Sequence, residues 1–223
     1  EVIDCPGGRL ETNAKRFGQQ SALVFEDQVL NWSELNAAAN RYAWAMKTEG
    51  LNRGDCVSVM MENRVEFLAL LMGLNKIGVT AGLLNTNLTG KSLIHCITVT
   101  QSKKCIFGEE VIASVQEIYA ELPMQQGQDF LFIADAGKQT APGWSKDLKP
   151  LAASASAENP AETASTTLGE TAFYIYTSGT TGLPKAAVIS NRRYLISADM
   201  AGTGGLKCKT QDRIYLCLPL YHA

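Results

Sequence analysis

The chain is short of the residues that several kinds of site require. Its 223 residues hold two histidines, His95 and His222, which excludes a histidine-rich metal centre. The six cysteines (Cys5, Cys56, Cys96, Cys105, Cys208 and Cys217) form no C-x-x-C pair and no metal-like cluster. They are expected as reduced thiols of an intracellular protein. Positive charge is not in excess: 20 Lys and Arg stand against 22 Asp and Glu, a net charge of −2. No nucleic-acid partner is indicated. Neither an apolar run of about 20 residues nor a basic amphipathic helix occurs, so no segment reads as a membrane helix or a surface-lying one. A methionine is also missing at position 1, and the chain stops just after the apolar run 214–218. These two features lead us to expect a fragment, an excised piece or a chain whose gene product continues, and the sequence leaves its oligomeric state open.

What is present is an apolar content of 46 %, enough for a sizeable core. Residues 1–20 are polar and turn-rich, and are expected to form an N-terminal arm. Residues 21–133 read as an α/β subdomain. Two brief strands flank Glu26-Asp27-Gln28, and a helix over 33–48 follows, capped by Ser33, with Leu35, Ala38, Ala39, Tyr42, Ala43 and Met46 on one face. The nearly continuous apolar run 56–61 has the character of an interior parallel strand. A helix over 65–76 with Asn63 as its cap, a second strand reaching Leu84, and further helices over 92–99 and 109–122 alternate with strands at 104–107 and 129–133. The expected fold class is therefore α/β, with a mostly parallel sheet and flanking helices. Residues 134–168, rich in Ala, Ser, Thr and Pro, read as an irregular connection in which Trp144 and Leu148 dock locally. Residues 169–223 hold a strand, a loop, a returning strand, a helix from about 192 to 200 that Asn191 can cap, and a last strand at 213–218.

The loop is the most informative stretch: Tyr174-Ile-Tyr-Thr-Ser-Gly-Thr-Thr-Gly-Leu-Pro-Lys185. An apolar, aromatic strand runs into it. Gly179 and Gly182 permit backbone N–H groups to converge on one anion. Thr177, Ser178, Thr180 and Thr181 add hydroxyl donors, and Lys185 adds positive charge. The order Gly179, Gly182, Lys185, with no Ser or Thr after the lysine, is not G-x-x-x-x-G-K-[ST]. Phosphate binding at a helix N-terminus is therefore not the expected geometry. Val188 and Ile189 indicate a strand after the lysine. Elsewhere, His95 is expected to pack on its helix, and Asn85 and Asn87 to cap a turn.

These twelve residues resemble the ATP phosphate-loop signature of the adenylate-forming enzymes, which include acyl-coenzyme A synthetases, luciferases and peptide-synthetase adenylation domains. The likeness covers most of the chain. Leu30-Asn-Trp-Ser-Glu-Leu35 followed by Asn40-Arg41, Leu51-Asn-Arg-Gly54-Asp55, Asn63-Arg-Val-Glu66-Phe67 and Pro219-Leu-Tyr-His222 are similar to that family's other landmarks and keep its order. Leu83-Leu-Asn-Thr-Asn87, Leu93-Ile-His-Cys96 and Ala186-Ala-Val-Ile-Ser-Asn-Arg-Arg193 look closest to the very-long-chain acyl-CoA synthetase and fatty acid transport protein branch. That branch agrees with Ser190-Asn191, where many relatives carry a histidine.

The resemblance implies an incomplete N-terminal portion of an adenylate-forming large domain. It also implies a two-step ligase reaction using ATP, Mg2+ and coenzyme A, with a fatty acid as the acid partner. Thr177, Ser178, Gly179, Thr180, Thr181, Gly182 and Lys185 would form the phosphate-contacting loop, with Lys185 as a catalytic residue that either secures the loop or helps to neutralise pyrophosphate. His222 would shape the acyl entrance and orient the carboxylate, with Tyr221 packing beside it. No metal ligand is assigned. Other landmarks of the family, including its adenine, ribose and metal positions and the C-terminal lysine, have no match in 1–223, so the piece alone is expected to be inactive. The alternatives are a ligase for a short-chain, aromatic, carnitine-like or bile acid, or a catalytically silent scaffold. Placement is expected in the cytoplasm or on the cytosolic face of a membrane, with any anchor outside these residues.

Overall fold

Apolar runs that are buried on both faces need cover on both sides, and this chain supplies it. The computed structural model describes residues 2–135, 137, 139–177 and 182–222. In chain order the elements are α1 (Pro6–Phe17), β1 (Ser21–Phe25), β2 (Gln28–Asn31), α2 (Trp32–Thr48), β3 (Cys56–Met60), α3 (Val65–Lys76), β4 (Thr80–Leu83), α4 (Gly90–Val99), β5 (Lys104–Gly108) and α5 (Ile112–Ile118). They continue with β6 (Phe130–Ile133), β7 (Lys146–Asp147), α6 (Leu148–Ser154), β8 (Thr171–Thr177), β9 (Lys185–Ser190) and α7 (Asn191–Asp199). Among the described residues β1 and β2 form a small antiparallel pair, and the other strands form a seven-stranded sheet in the order β7-β6-β5-β3-β4-β8-β9. All its pairings are parallel except β8 with β9.

The two-residue side-chain period of the strands divides the core between the faces. Val57, Val59, Ala81, Leu83, Ile106 and Leu131 face one core, which α2, α3 and α6 cover. Met60, Cys105, Phe107, Phe130, Phe132 and Tyr176 face the other, under α4 and α5. The helices after β3 and β5 thus lie on opposite faces although these strands are neighbours, which makes their carboxyl ends the crevice of a doubly wound sheet. That crevice is crossed by an ion pair: Arg64, 4 % exposed, donates to the Glu110 carboxylate, which also accepts from the Glu62 N–H at 2.6 Å.

Four expectations are corrected. Residues 1–20 are not an arm, because α1 occupies most of them. Pro6 stands in its first turn, where a missing N–H costs nothing, and the Cys5 sulfur accepts from the Gly8 N–H. Gly7 N–H donates to Asn75 Oδ1 at 2.9 Å, and Leu10 is buried in the first core. Residues 134–168 are not wholly irregular either. They contain β7, α6 and a 3-10 turn at Ala161–Ser165. The polar flank of α2 holds their backbone: Asn40, Arg41 and Trp44 donate to the carbonyls of Ala157, Ala153 and Glu158. Trp144 and Leu148 do dock as expected, Trp144 stacking on Tyr119 at 4.6 Å between centroids and Leu148 fully buried.

The helix expected over 109–122 is α-helical only over α5 (Ile112–Ile118), with a 3-10 segment on either side, Glu109–Val111 and Tyr119–Glu121. Residues 213–218 form no strand. Ile214, Tyr215, Leu216 and Leu218 are exposed, because β-propensity needs a neighbouring strand to satisfy its backbone and none is present among the described residues. Capping also differs in detail. Asn31, with Glu34, caps α2 through a reciprocal box, and Ser190 caps α7.

Candidate active site

β8 is the last parallel strand of the sheet, and it reverses into β9. The register pairs Thr171↔Ser190 through Thr177↔Lys185 bring Thr177 and Lys185 opposite each other, where the hairpin ladder ends. The loop between them begins at the carboxyl edge of the parallel strands, the edge at which open α/β sheets bind ligands. It is carried by a hairpin and not by a helix N-terminus, as the motif spacing predicts. Thr177 is exposed. Gly182 has φ 93°, a left-handed conformation that glycine adopts freely. Lys185 is exposed and forms no ion pair among the described residues. Ser178, Gly179, Thr180 and Thr181 lie outside the described residues.

Beneath the loop, α4 braces both limbs of the hairpin. Tyr176, on the incoming limb, donates its hydroxyl to the Cys96 carbonyl at 2.7 Å. Its hydroxyl also lies 3.3 Å from that of Thr100. Burial pushes the phenol well above its ordinary value, so it remains a donor at any physiological pH. On the outgoing limb, His95 Nε2 lies 3.0 Å from the Pro184 carbonyl oxygen, so the ring donates there. His95 was expected only to pack. The sequence signal that could have found it is the adjacency of His95 to Cys96, two positions on one helix that reach the two limbs of one hairpin. A cavity of about 860 Å³ opens on this side, with His95, Thr100, Tyr174, Pro184 and Lys185 in its wall.

The other face of the hairpin is apolar. Phe173, Ile175 and Ile189 line a groove of about 350 Å³ together with Leu83, Tyr194 and Leu220. The turn Leu220–His222 packs against β8 there. Tyr221 is buried in the first core, while His222 is exposed, and its N–H donates to the Pro219 carbonyl at 3.0 Å. Strand β8 thus carries the loop between Thr177 and Lys185 at its end and the histidine turn against its side. Asn85 and Asn87 form the expected turn, the Asn87 N–H donating to Asn85 Oδ1 at 2.8 Å. Among the described residues no group of three or more His, Cys, Asp or Glu is placed to hold a metal ion.

Residues 10–223 match the family model described as AMP-binding enzyme. The chain belongs to this family. FadD6, a medium/long-chain-fatty-acid–CoA ligase of Mycobacterium tuberculosis (strain ATCC 25618 / H37Rv), is 35 % identical over 216 residues, which cover 97 % of this chain and 34 % of that protein. Long-chain fatty acid transport protein 1 of Mus musculus is 36 % identical over 214 residues, 94 % of this chain and 32 % of that protein. Among solved structures, the inhibitor-bound N-terminal domain of FACL13 from Mycobacterium tuberculosis superposes with a TM-score of 0.83 at 26 % identity, covering 99 % of this chain and 52 % of that one. The anthranilate CoA ligase AuaEII, in complex with anthranoyl-AMP, shares the fold at a TM-score of 0.80 and 21 % identity, over 91 % of this chain and 38 % of that one. The chain spans about a third of the length of the curated AMP-binding relatives it matches.

Proposed function

We propose that these residues form the phosphate-handling part of an ATP-dependent acid–CoA ligase whose acid is a long-chain or very-long-chain fatty acid. The observation that carries the reading is the β8–β9 hairpin, which brings Thr177 and the exposed cation Lys185, without an ion pair among the described residues, to one loop at the carboxyl edge of the sheet. The similarity to a fatty-acid–CoA ligase and a fatty acid transport protein supports the choice of acid.

In the proposed reaction a carboxylate oxygen attacks the α-phosphorus of ATP. The bond from that phosphorus to the bridging oxygen breaks, and pyrophosphate leaves with the electron pair. Charge grows on the leaving group, where Lys185 and the donors of residues 177–182 oppose it. His222 orients the incoming carboxylate. In the second step the thiol sulfur of coenzyme A attacks the acyl carbon, AMP departs with the electrons of the C–O bond, and the thiol proton passes to solvent. Mg2+ supplies phosphate charge neutralisation when bound to ATP. The loop sequence 174–185 holds no carboxylate and the described residues supply no acidic cage, so this portion does not fit a protein-held magnesium site.

The test uses the protein at the length of its relatives, with a panel of acids. Faster turnover of long-chain acids than of short-chain or aromatic ones is expected, and the reverse order would overturn the choice of acid. Lys185→Ala should lower acid-dependent pyrophosphate exchange by about 10²-fold, the scale of losing one transition-state donor. Unchanged exchange would remove Lys185 from the mechanism. The 223-residue chain by itself should show exchange at background and ATP binding weaker than micromolar by calorimetry.

A further inference from the structure

Asn63 stands at the carboxyl end of β3, where the sequence offers it as a helix cap. It does not cap α3, whose N-cap position is Arg64 and has no side-chain cap bond. Its amide points to a segment 155 residues away. Asn63 Nδ2 donates to the Leu218 carbonyl at 2.9 Å, and Asn63 Oδ1 accepts from the Leu220 N–H at 2.7 Å. The two backbone groups flank Pro219, which has no N–H of its own. One side-chain amide therefore pairs with the carbonyl of one residue and the N–H of the second residue after it, as a neighbouring strand would.

The consequence falls on the histidine turn. The segment before it, 214–218, is exposed, and among the described residues no sheet ladder fixes the approach to His222. Among the described residues the turn has further anchors: the buried Tyr221 ring, the Leu220 side chain packed against the first core, and the bond from His222 N–H to the Pro219 carbonyl. None of them pairs with the Leu218 carbonyl or the Leu220 N–H. Asn63 does so from the loop between β3 and α3, three residues past the end of the fully buried β3.

We infer that Asn63 is a positioning residue for His222, setting the turn through the backbone on either side of Pro219. The inference rests on the proposed role of His222 for its catalytic meaning, but the clamp itself can be measured without activity. In the 223-residue chain, with two histidines, the ring protons of His95 and His222 are separately resolvable by NMR. In Asn63→Ala the Leu220 amide should exchange about tenfold faster, matching the loss of one hydrogen bond. The His222 ring signals should move toward their unstructured positions, while those of His95 stay in place. Asn63→Asp keeps the acceptor for Leu220 and loses the donor to Leu218. It should retain Leu220 protection and still shift His222.

Unaltered Leu220 exchange and unaltered His222 signals in Asn63→Ala would overturn the inference. So would a change that moves His95 and His222 alike in both variants, since that marks a general loss of structure. At the length of the relatives, Asn63→Ala should lower kcat for the acid-dependent reaction by about tenfold with the KM for ATP unchanged. If His222→Ala leaves that reaction untouched while Asn63→Ala shifts the His222 signals, the role proposed for His222 fails and the clamp stands.

Discussion

At the residue scale, the hairpin owes its fixed base to His95 and Cys96. One offers a ring N–H to Pro184 and the other a carbonyl to Tyr176. Under the proposed function, a phosphate-binding loop works best from a base that does not drift. His95→Ala leaves the Pro184 carbonyl without that donor. Amide exchange in the peptide 182–190 should rise by about an order of magnitude, and His95→Gln, which can still donate, should recover part of it. Equal exchange in all three proteins would mean that the ring does not brace the loop. The thiols give a second residue-scale prediction. Cys208 and Cys217 have solvent access, whereas Cys5, Cys56, Cys96 and Cys105 are buried. Ellman's reagent should titrate two of the six thiols in the native chain and all six after unfolding. Burial pushes the Cys96 thiol up to about 11 and that of Cys105 to about 12, from an ordinary 9.0. Between pH 9 and those values the unfolded chain has lost protons that the folded chain keeps, so stability falls as pH rises through this window. A melting temperature that rose from pH 9 to 11 would contradict the sign.

At the element scale, α2 and α3 approach so closely that Gly73 has no room for a side chain. A Cβ there would lie 2.4 Å from the Ala39 carbonyl oxygen and 2.9 Å from the Ala43 nitrogen, both backbone atoms of α2. Gly73→Ala must push the helices apart, and it should destabilise the fold by about 1–3 kcal/mol despite alanine's better helix propensity. Urea unfolding of the variant would show it as a lower midpoint with an unchanged slope. The same helix pair holds α1. Lys76, fully buried, donates to Glu11 Oε1 at 3.0 Å, to Asn36 and Asn40 Oδ1 at 2.6 Å each, and to Asn159 Oδ1 at 3.3 Å. Desolvation lowers its pKa, and the Glu11 carboxylate works against that shift. Glu11→Ala removes the countercharge but leaves three amide oxygens. The expected loss is about 1–3 kcal/mol, below that of stripping a buried cation of every partner. A variant as stable as the parent would show that the amides alone satisfy Lys76.

At the scale of the whole molecule, one sheet divides two cores, and its single antiparallel pairing marks the place where the loop emerges. The crevice between β3 and β5 is crossed by Arg64 and Glu110, while the loop after β8 leaves the carboxyl edge of the neighbouring parallel strands. The apolar groove on one side of the hairpin and the larger, more polar cavity on the other give its two faces different surroundings. Among the described residues no helix is long and apolar enough to cross a membrane.

The alternation of apolar strands and amphipathic helices over 33–133 was legible because periods of 2 and 3.6 are written directly in residue order. So was the loop, since glycines, hydroxyls and a lysine at fixed spacing are local chemistry. Thr177, Gly182 and Lys185 fall where that reading puts them, at the base of a strand–loop–strand turn, and the family match confirms the kinship. Other features depended on partners far away in the chain. The helix over 6–17 needs Asn75 and Lys76, and the order of residues 134–168 needs the donors of α2. The grip of His95 on Pro184 spans 89 residues, and that of Asn63 on Leu218 spans 155. Residue order sets which segments are helix, strand and anion loop, because those preferences are local. Only the packed sheet decides which side chain meets which distant carbonyl, because such contacts exist only after the strands have been brought into register.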